Sequence, residues 1–244
     1  MSKLRSLAIT APLIALATAL YGLVGLVVSF FDDTGDRQMV VARAWSRALL
    51  LISRVKVKVE GLENISPGGS YVLVSNHLSY MDTPAILANV PVQFRFLAKE
   101  GLFRVPLLGT HLARAGHIPV PLEDPRAAVR VMTKAAQVIK ERGISLLIFP
   151  EGGRAPDGVL QPFKEGAAYI AIKAGVPLVP VTLIGTREVL PFGSAHMRGG
   201  TVVLRIGEPV ATSACKLSDR DRLTEAVRQR IVESLETMPV PAPN

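Results

Sequence analysis

"YVLVSNHLSYMD" (71–82) decides how this chain is read. Its first five residues form an apolar run with no alternation of polar side chains, which marks a strand covered on both faces. Asn76, His77 and Ser79 then break the run, and Asp82 stands before "TPAIL" (83–87), the opening of a helix that an aspartate can cap. A buried strand that turns directly into a helix is the building unit of an α/β domain.

The same grammar recurs on both sides. Strands are predicted at "VKVKVE" (55–60), "FRFLA" (94–98), "HIPV" (117–120), "SLLIF" (145–149), "LVPVTLI" (178–184) and "VVLRI" (202–206). Between them, Asp124 as N-cap and Pro125 at the first helical position open "PRAAVRVMTKAAQVIKER", which Gly143 stops. A second helix is expected from about Lys164 to Ala174 with Gly175 as its stop, and a third from Ser218 with Asp221 in the capping-box position. The fold class is therefore α/β, with a mostly parallel or mixed central sheet flanked by helices. Residues 55–238 form this domain, residues 1–54 an N-terminal membrane-anchoring segment, and "PVPAPN" (239–244) a frayed tail.

The N-terminal segment stands apart in composition. "LAITAPLIALATALYGLVGLVVSFF" (7–31) holds 25 residues without a charge, enough for a helix across a hydrocarbon core of roughly 30 Å. Lys3 and Arg5 precede it and Asp32, Asp33 and Asp36 follow, which places the first residues on the cytoplasmic side. A cleaved signal peptide is disfavoured because its apolar core is usually about 7 to 15 residues long. A third arrangement is a hairpin in one leaflet with "RQMVVARAWSRALLLISRV" (37–55), where Val40, Val41, Ala44, Trp45, Ala48, Leu49 and Ile52 recur at helical spacing opposite Arg43 and Arg47. Packing of that helix on the soluble domain fits the same pattern.

A net charge of +8 favours anionic partners such as phospholipid head groups or phosphorylated substrates. No basic run with interleaved aromatics is present, which disfavours nucleic acid. With the single Cys215, an intrachain disulfide and a thiolate-rich metal site are both excluded. His111, His117 and His196 lack metal-ligand spacing and read as structural.

Two stretches can carry chemistry. On a regular helix, residues five apart sit about 140° apart, so His77 and Asp82 meet only across a strand-to-helix turn. Brought together, Asp82 accepts the Nδ1 proton of His77 and fixes its tautomer, while Nε2 takes a proton from a hydroxyl. The plainer reading is turn chemistry, with Asn76 and Ser79 bonding local backbone. "FPEGGR" (149–154) follows a predicted strand, at the end where open α/β sheets bind ligands. There Gly152 and Gly153 let backbone N–H groups approach an anion, Arg154 offers a planar cationic fork, and Glu151 can orient that fork or bond a hydroxyl. Arg187, in "GTREVLPFG" (185–193), can reach an anion in the same crevice or lie in a solvated loop.

In this order and about 70 residues apart, "NHLSYMD" and "FPEGGR" resemble the first and third signature blocks of the glycerolipid acyltransferase family, N-H-x4-D and F-P-E-G-T-R. "LAKEGLFRVPLLG" (97–109), "FKEGAAYIAIKAGVPLVPV" (163–181) and "VPV" (179–181) are similar to further family segments. The resemblance implies that His77 deprotonates an acceptor hydroxyl with Asp82 orienting it. The alkoxide then attacks the thioester of an acyl-CoA or acyl-carrier protein. It also implies that Glu151, Gly152, Gly153 and Arg154 hold a glycerol phosphate, with Lys99 as a second phosphate contact. No metal or redox cofactor is implied; the implied partners are a phospholipid bilayer and a lysophospholipid, with the catalytic domain at the cytoplasmic face of a bacterial inner membrane. An apolar groove for the acyl chain follows from the need to bury it. Two departures leave the acceptor open: "GHIPVPLED" (116–124) lacks the second block's arginine, for which Arg114 or Arg126 are the nearby substitutes, and Gly153 stands where the third block has threonine.

Overall fold

The computed structural model describes residues 3–154 and 157–237, so the Pro-rich tail lies outside the described residues. The order along the chain is α1 (Lys3–Phe31), α2 (Asp36–Ile52), β1 (Val55–Glu60), β2 (Val72–Ser75), α3 (Asp82–Asn89), β3 (Phe94–Lys99), α4 (Leu108–Arg114), β4 (Ile118–Val120), α5 (Pro125–Arg142), β5 (Ser145–Ile148), α6 (Gly166–Ala174), β6 (Leu178–Ile184), α7 (Thr186–Val189), β7 (Gly200–Ile206) and α8 (Arg220–Glu236). The strands form one seven-stranded sheet in the order β1-β7-β6-β2-β5-β3-β4. Only the β6–β7 pair is antiparallel; the five strands from β6 to β4 share one direction. The expected mixed sheet flanked by helices is what forms.

The continuous apolar strands are explained by two cores, one on each face of the sheet. Alternate residues of a strand point to opposite faces. Leu73, Leu147, Val179 and Val181 join α2 and α3 residues such as Met39, Leu50 and Ile86 in one core. Val72, Val74, Leu146 and Ile148 join Ala135 and Ile139 of α5, Ile170 of α6 and Val227 and Ile231 of α8 in the other. Edge strand β1, by contrast, keeps its alternation, with Lys56 and Lys58 exposed, charges that discourage pairing with another chain.

Capping follows the sequence in α5, where the Asp124 carboxylate accepts the Arg126 and Ala127 N–H groups and Gly143 leaves the helix at φ +63°. Two starts are displaced. Lys164 does not open α6, because its N–H donates to the Pro150 carbonyl and holds it in the preceding loop. At α8 a 3-10 turn, Leu217–Asp219, precedes the helix. Asp219 rather than Asp221 accepts the capping bond, from the Lys216 N–H at 2.7 Å.

Helix α1 is long and apolar enough to cross a membrane, and 11% of its most apolar window is buried. It is nevertheless attached to the domain along its length. Ser6 Oγ accepts the Met197 N–H at 2.8 Å, Trp45 Nε1 donates to Thr18 Oγ1, and His111 sits so close to Gly25 that a Cβ there would lie 2.9 Å from the ring. Arg114 donates to Ser29 and lies over the Phe30 ring at 4.6 Å. The link to α2 is pinned as well: the buried guanidinium of Arg95 donates to the Thr34 carbonyl and pairs with Asp36, and Arg142 donates to Thr34.

The stripe of α2 that meets the domain is turned from the predicted one. Met39, Ser46, Leu49 and Leu50 are buried, whereas Val40 is exposed. Arg43 faces inward rather than away, donating to the carbonyls of Pro91 and Val92 beyond the end of α3. The apolar periodicity was diluted because α2 has two contact faces, one on α1 and one on α3.

Candidate active site

Three neighbouring strands, β5, β2 and β6, deliver their carboxyl ends to one edge of the sheet. Residues 76–82 leave β2, 149–154 leave β5, and 185–193 leave β6. The residues that separate sequence blocks carry therefore arrive side by side.

Asn76 closes the base of this crevice. Its Nδ2 donates to the Leu183 carbonyl at 2.9 Å and its Oδ1 accepts the Leu183 N–H at 2.8 Å, so the side chain continues the β2–β6 ladder after the backbone has turned away. The sequence reading placed Asn76 in local turn bonds; it bonds 107 residues away. Ser79 also reaches out of the turn, donating from Oγ to the Leu190 carbonyl at 2.9 Å while accepting the Met81 N–H.

Above Asn76 the turn folds round one carboxylate oxygen. Asp82 is fully buried, and its Oδ2 accepts from His77 Nδ1 at 2.7 Å, the Leu78 N–H at 2.7 Å and the Ser79 N–H at 2.8 Å. Two backbone donors on the atom that meets the imidazole fix it in place, so Nδ1 carries the proton of the neutral ring and Nε2 is left with its lone pair. The His77 ring stacks on Phe149 with centroids 4.0 Å apart, and its side chain keeps 18% of its surface open. One face is thus packed and an edge stays reachable.

Glu151 joins the two loops. Oε1 accepts the His77 N–H at 2.7 Å and Oε2 accepts the Gln161 N–H at 2.9 Å. Burial pushes its carboxyl above the ordinary value, with the two backbone donors opposing that rise. Each oxygen carries one backbone donor, and no hydrogen bond among the described residues ties Glu151 to Arg154. Its direct bond to the His77 N–H braces the base.

The two glycines of the third block differ. Gly152 has φ +79°, a conformation that favours glycine, and a Cβ there would lie 3.0 Å from Lys164 Nζ, at the movable end of that side chain. Gly153 has neither constraint: a Cβ would meet nothing within 4 Å, and the threonine of the resembled block fits this backbone. Arg154 lies over the Tyr80 ring with Cζ 3.4 Å from its centroid. Its Nη1 is buried without a hydrogen-bond partner.

The remaining cations divide. Arg187 passes over Gly158, where a Cβ would collide with its guanidinium, and so packs beside the loop that follows Arg154. Lys99, at the carboxyl end of β3, is exposed and 3.8 Å from Glu123, and no hydrogen bond or ion pair among the described residues ties it to His77 or Arg154. Arg114 donates to Ser29 and lies over Phe30 of α1. Arg126 is exposed at the start of α5. His117 is structural: Nδ1 accepts the Phe96 N–H at 3.0 Å, and burial, with Arg95 nearby, lowers its pKa to about 3. Among the described residues no cluster of His, Cys, Asp and Glu could hold a metal ion.

A cavity of about 370 Å³ lies between α8 and strands β6 and β7 and is lined by Arg205, Glu208, Arg230 and Glu233. Its lining is charged and it sits away from the strand ends that hold His77.

Fold and dyad together define a class, and comparison with known proteins agrees: the chain belongs to the acyltransferase family, whose model matches residues 56–184, from β1 to the end of β6. Within that family it is similar to a chloroplastic 1-acyl-sn-glycerol-3-phosphate acyltransferase of Brassica napus, 36% identical over 197 residues, covering 80% of this chain and 55% of that protein. The 1-acyl-sn-glycerol-3-phosphate acyltransferase of Borreliella burgdorferi is 30% identical over 201 residues, 82% of this chain and 80% of the relative. The crystal structure of the 1-acyl-sn-glycerophosphate acyltransferase PlsC from Thermotoga maritima superposes with a TM-score of 0.78 at 30% identity, over 98% of this chain and 99% of that one. The chain spans about half the length of the chloroplastic relatives it matches.

Proposed function

We propose that the protein transfers a fatty acyl group from a thioester, of coenzyme A or an acyl-carrier protein, to the free hydroxyl of 1-acyl-glycerol-3-phosphate. The observation that carries this reading is the Asp82 oxygen held by two backbone N–H groups at 2.7 Å from His77 Nδ1. With Nδ1 fixed as donor, Nε2 accepts the proton of the acceptor hydroxyl as that oxygen attacks the thioester carbonyl. The imidazolium formed is stabilised by Asp82 and returns the proton to the departing thiolate. One C–O bond forms, one C–S bond breaks, and His77 ends neutral. Arg154, next to the dyad and without a carboxylate partner among the described residues, takes the phosphate of the acceptor. The names of the relatives support 1-acyl-glycerol-3-phosphate over other lipid alcohols.

The same reading places the protein on a membrane through α1. Because Ser6, Thr18, Gly25, Ser29 and Phe30 all contact the domain or α2, the helix is held alongside the domain, which supports attachment in one leaflet as a hairpin over a single span. Leu13, Leu16, Leu20, Leu23 and Val27 are among its exposed residues for lipid.

Purified protein given acyl-CoA and a panel of acceptors tests the activity. Acylation of 1-acyl-glycerol-3-phosphate that exceeds acylation of monoacylglycerol and of glycerol 3-phosphate, and that is abolished by His77→Ala, is the expected result. Turnover retained in His77→Ala, or release of free fatty acid without lipid product, refutes it.

A further inference from the structure

We infer that Tyr80 and Phe192 form an aromatic slot that positions Arg154 for the acceptor's phosphate. The inference rests on the reading of Arg154 as the phosphate contact. Neither ring belongs to a signature position: Tyr80 is one of the four open places of N-H-x4-D, and Phe192 lies beyond the matched segment.

The Arg154 guanidinium lies over two aromatic rings. The Arg154 guanidinium carbon stands 3.4 Å above the Tyr80 ring and 5.4 Å from the Phe192 ring, both inside the range over which an aromatic quadrupole attracts a cation. A carboxylate partner would also fix the side chain, but it would consume N–H donors and neutralise the charge that recognises an anion. Rings hold the plane of the guanidinium and leave its donor edge unspent. Nη1 agrees with this: it is buried and has no hydrogen-bond partner, a state that costs free energy unless a ligand supplies the acceptor.

The slot is coupled to the dyad by its neighbours. Tyr80 lies between Ser79 and Met81, which are buried, and is itself 63% exposed. Ser79 gives its N–H to Asp82 and its hydroxyl to the Leu190 carbonyl, two residues before Phe192. The turn that aims His77 thus also sets both rings, so base and phosphate contact share one rigid support. An exposed tyrosine with no hydrogen bond from its hydroxyl among those described has this stack as its use.

Steady-state kinetics with 1-acyl-glycerol-3-phosphate and with monoacylglycerol test the slot, using full-length protein in detergent. Tyr80→Ala should raise KM for the phosphorylated acceptor about tenfold, with kcat changed less than threefold and the rate on monoacylglycerol unmoved. Tyr80→Phe should restore the wild-type KM, because the ring and not the hydroxyl acts. In an Arg154→Ala background, Tyr80→Ala should add nothing. Should Tyr80→Ala not fold, Tyr80→Leu and Phe192→Ala carry the same expectation. An unchanged KM in folded Tyr80 and Phe192 variants, or a fall in kcat on both acceptors, overturns the slot while Arg154→Ala still raises KM. If Arg154→Ala itself leaves KM unchanged, the phosphate reading fails and the slot with it.

Discussion

Replacing Asp82 by asparagine separates charge from shape in this site. Oδ2 receives three donors, His77 Nδ1 and the Leu78 and Ser79 N–H groups, whereas Oδ1 is buried with no hydrogen-bond partner. An asparagine amide therefore has one favoured orientation: its oxygen takes the place of Oδ2 to keep the three donors, and its NH2 takes the place of Oδ1, where its buried donors lack a partner among the described residues. The His77 tautomer is preserved, and what disappears is the negative charge that stabilises the imidazolium. Two unit charges about 4 Å apart interact by about 4 kcal/mol at an effective dielectric constant of about 20, which corresponds to about a 10³-fold loss in kcat. Stability should change by no more than about 2 kcal/mol, since weaker neutral hydrogen bonds are offset by removing a buried charge. In a chain of this size that is a Tm shift of about 4 to 8 °C. Steady-state acyl transfer, with thermal unfolding of the same preparation, makes the measurement. A folded Asp82→Asn variant that loses less than tenfold in kcat refutes the electrostatic role, and so does a loss that tracks the unfolded fraction.

Further outcomes follow from neighbouring residues. Asn76→Ala strands the Leu183 N–H and carbonyl in a buried crevice and should destabilise the fold by about 2 to 5 kcal/mol by chemical denaturation; a change under 1 kcal/mol would show that the ladder does not need it. Gly152→Ala, at φ +79° and 3.0 Å from Lys164, should cost at least about 1 kcal/mol from backbone strain alone, whereas Gly153→Thr should leave Tm and activity near wild type. His117 titrates at about 3 when folded and near 6.5 when unfolded. Below pH 6.5 the unfolded chain binds the extra proton, so the stability present at neutral pH is lost as pH falls from about 6.5 toward about 3. In His117→Gln, unfolding midpoints measured across that window should show a shallower acid decline, and an unchanged slope would contradict the assignment.

Much of the fold was legible because periodicity is local. Asp124, Pro125 and Gly143 bounded α5 from sequence alone, and the runs at 178–184 and 55–60 are the observed strands β6 and β1. The rotation of α2 was not legible. An inward arginine that bonds the carbonyls of Pro91 and Val92 looks, in sequence, like a solvent-facing charge. The α8 cap moved for a similar reason, since Asp219 and Asp221 are equally suited to the role and only backbone geometry selects one.

For the site, sequence by itself determined the reactive groups: a histidine and an aspartate five apart at a strand end, and an arginine behind two glycines at another. Their identities follow from chemistry, which is a property of residue types. Tertiary structure decided what each does. Strand order set β2 between β5 and β6, so residues about 70 and 110 positions away close on His77. That arrangement made Glu151 a brace beneath the base and Asn76 a rung between strands, and placed Arg154 on two rings that no motif names. Hydrogen bonds and stacking depend on ångström separations between distant segments, and such separations exist only once the sheet has set the order of its strands.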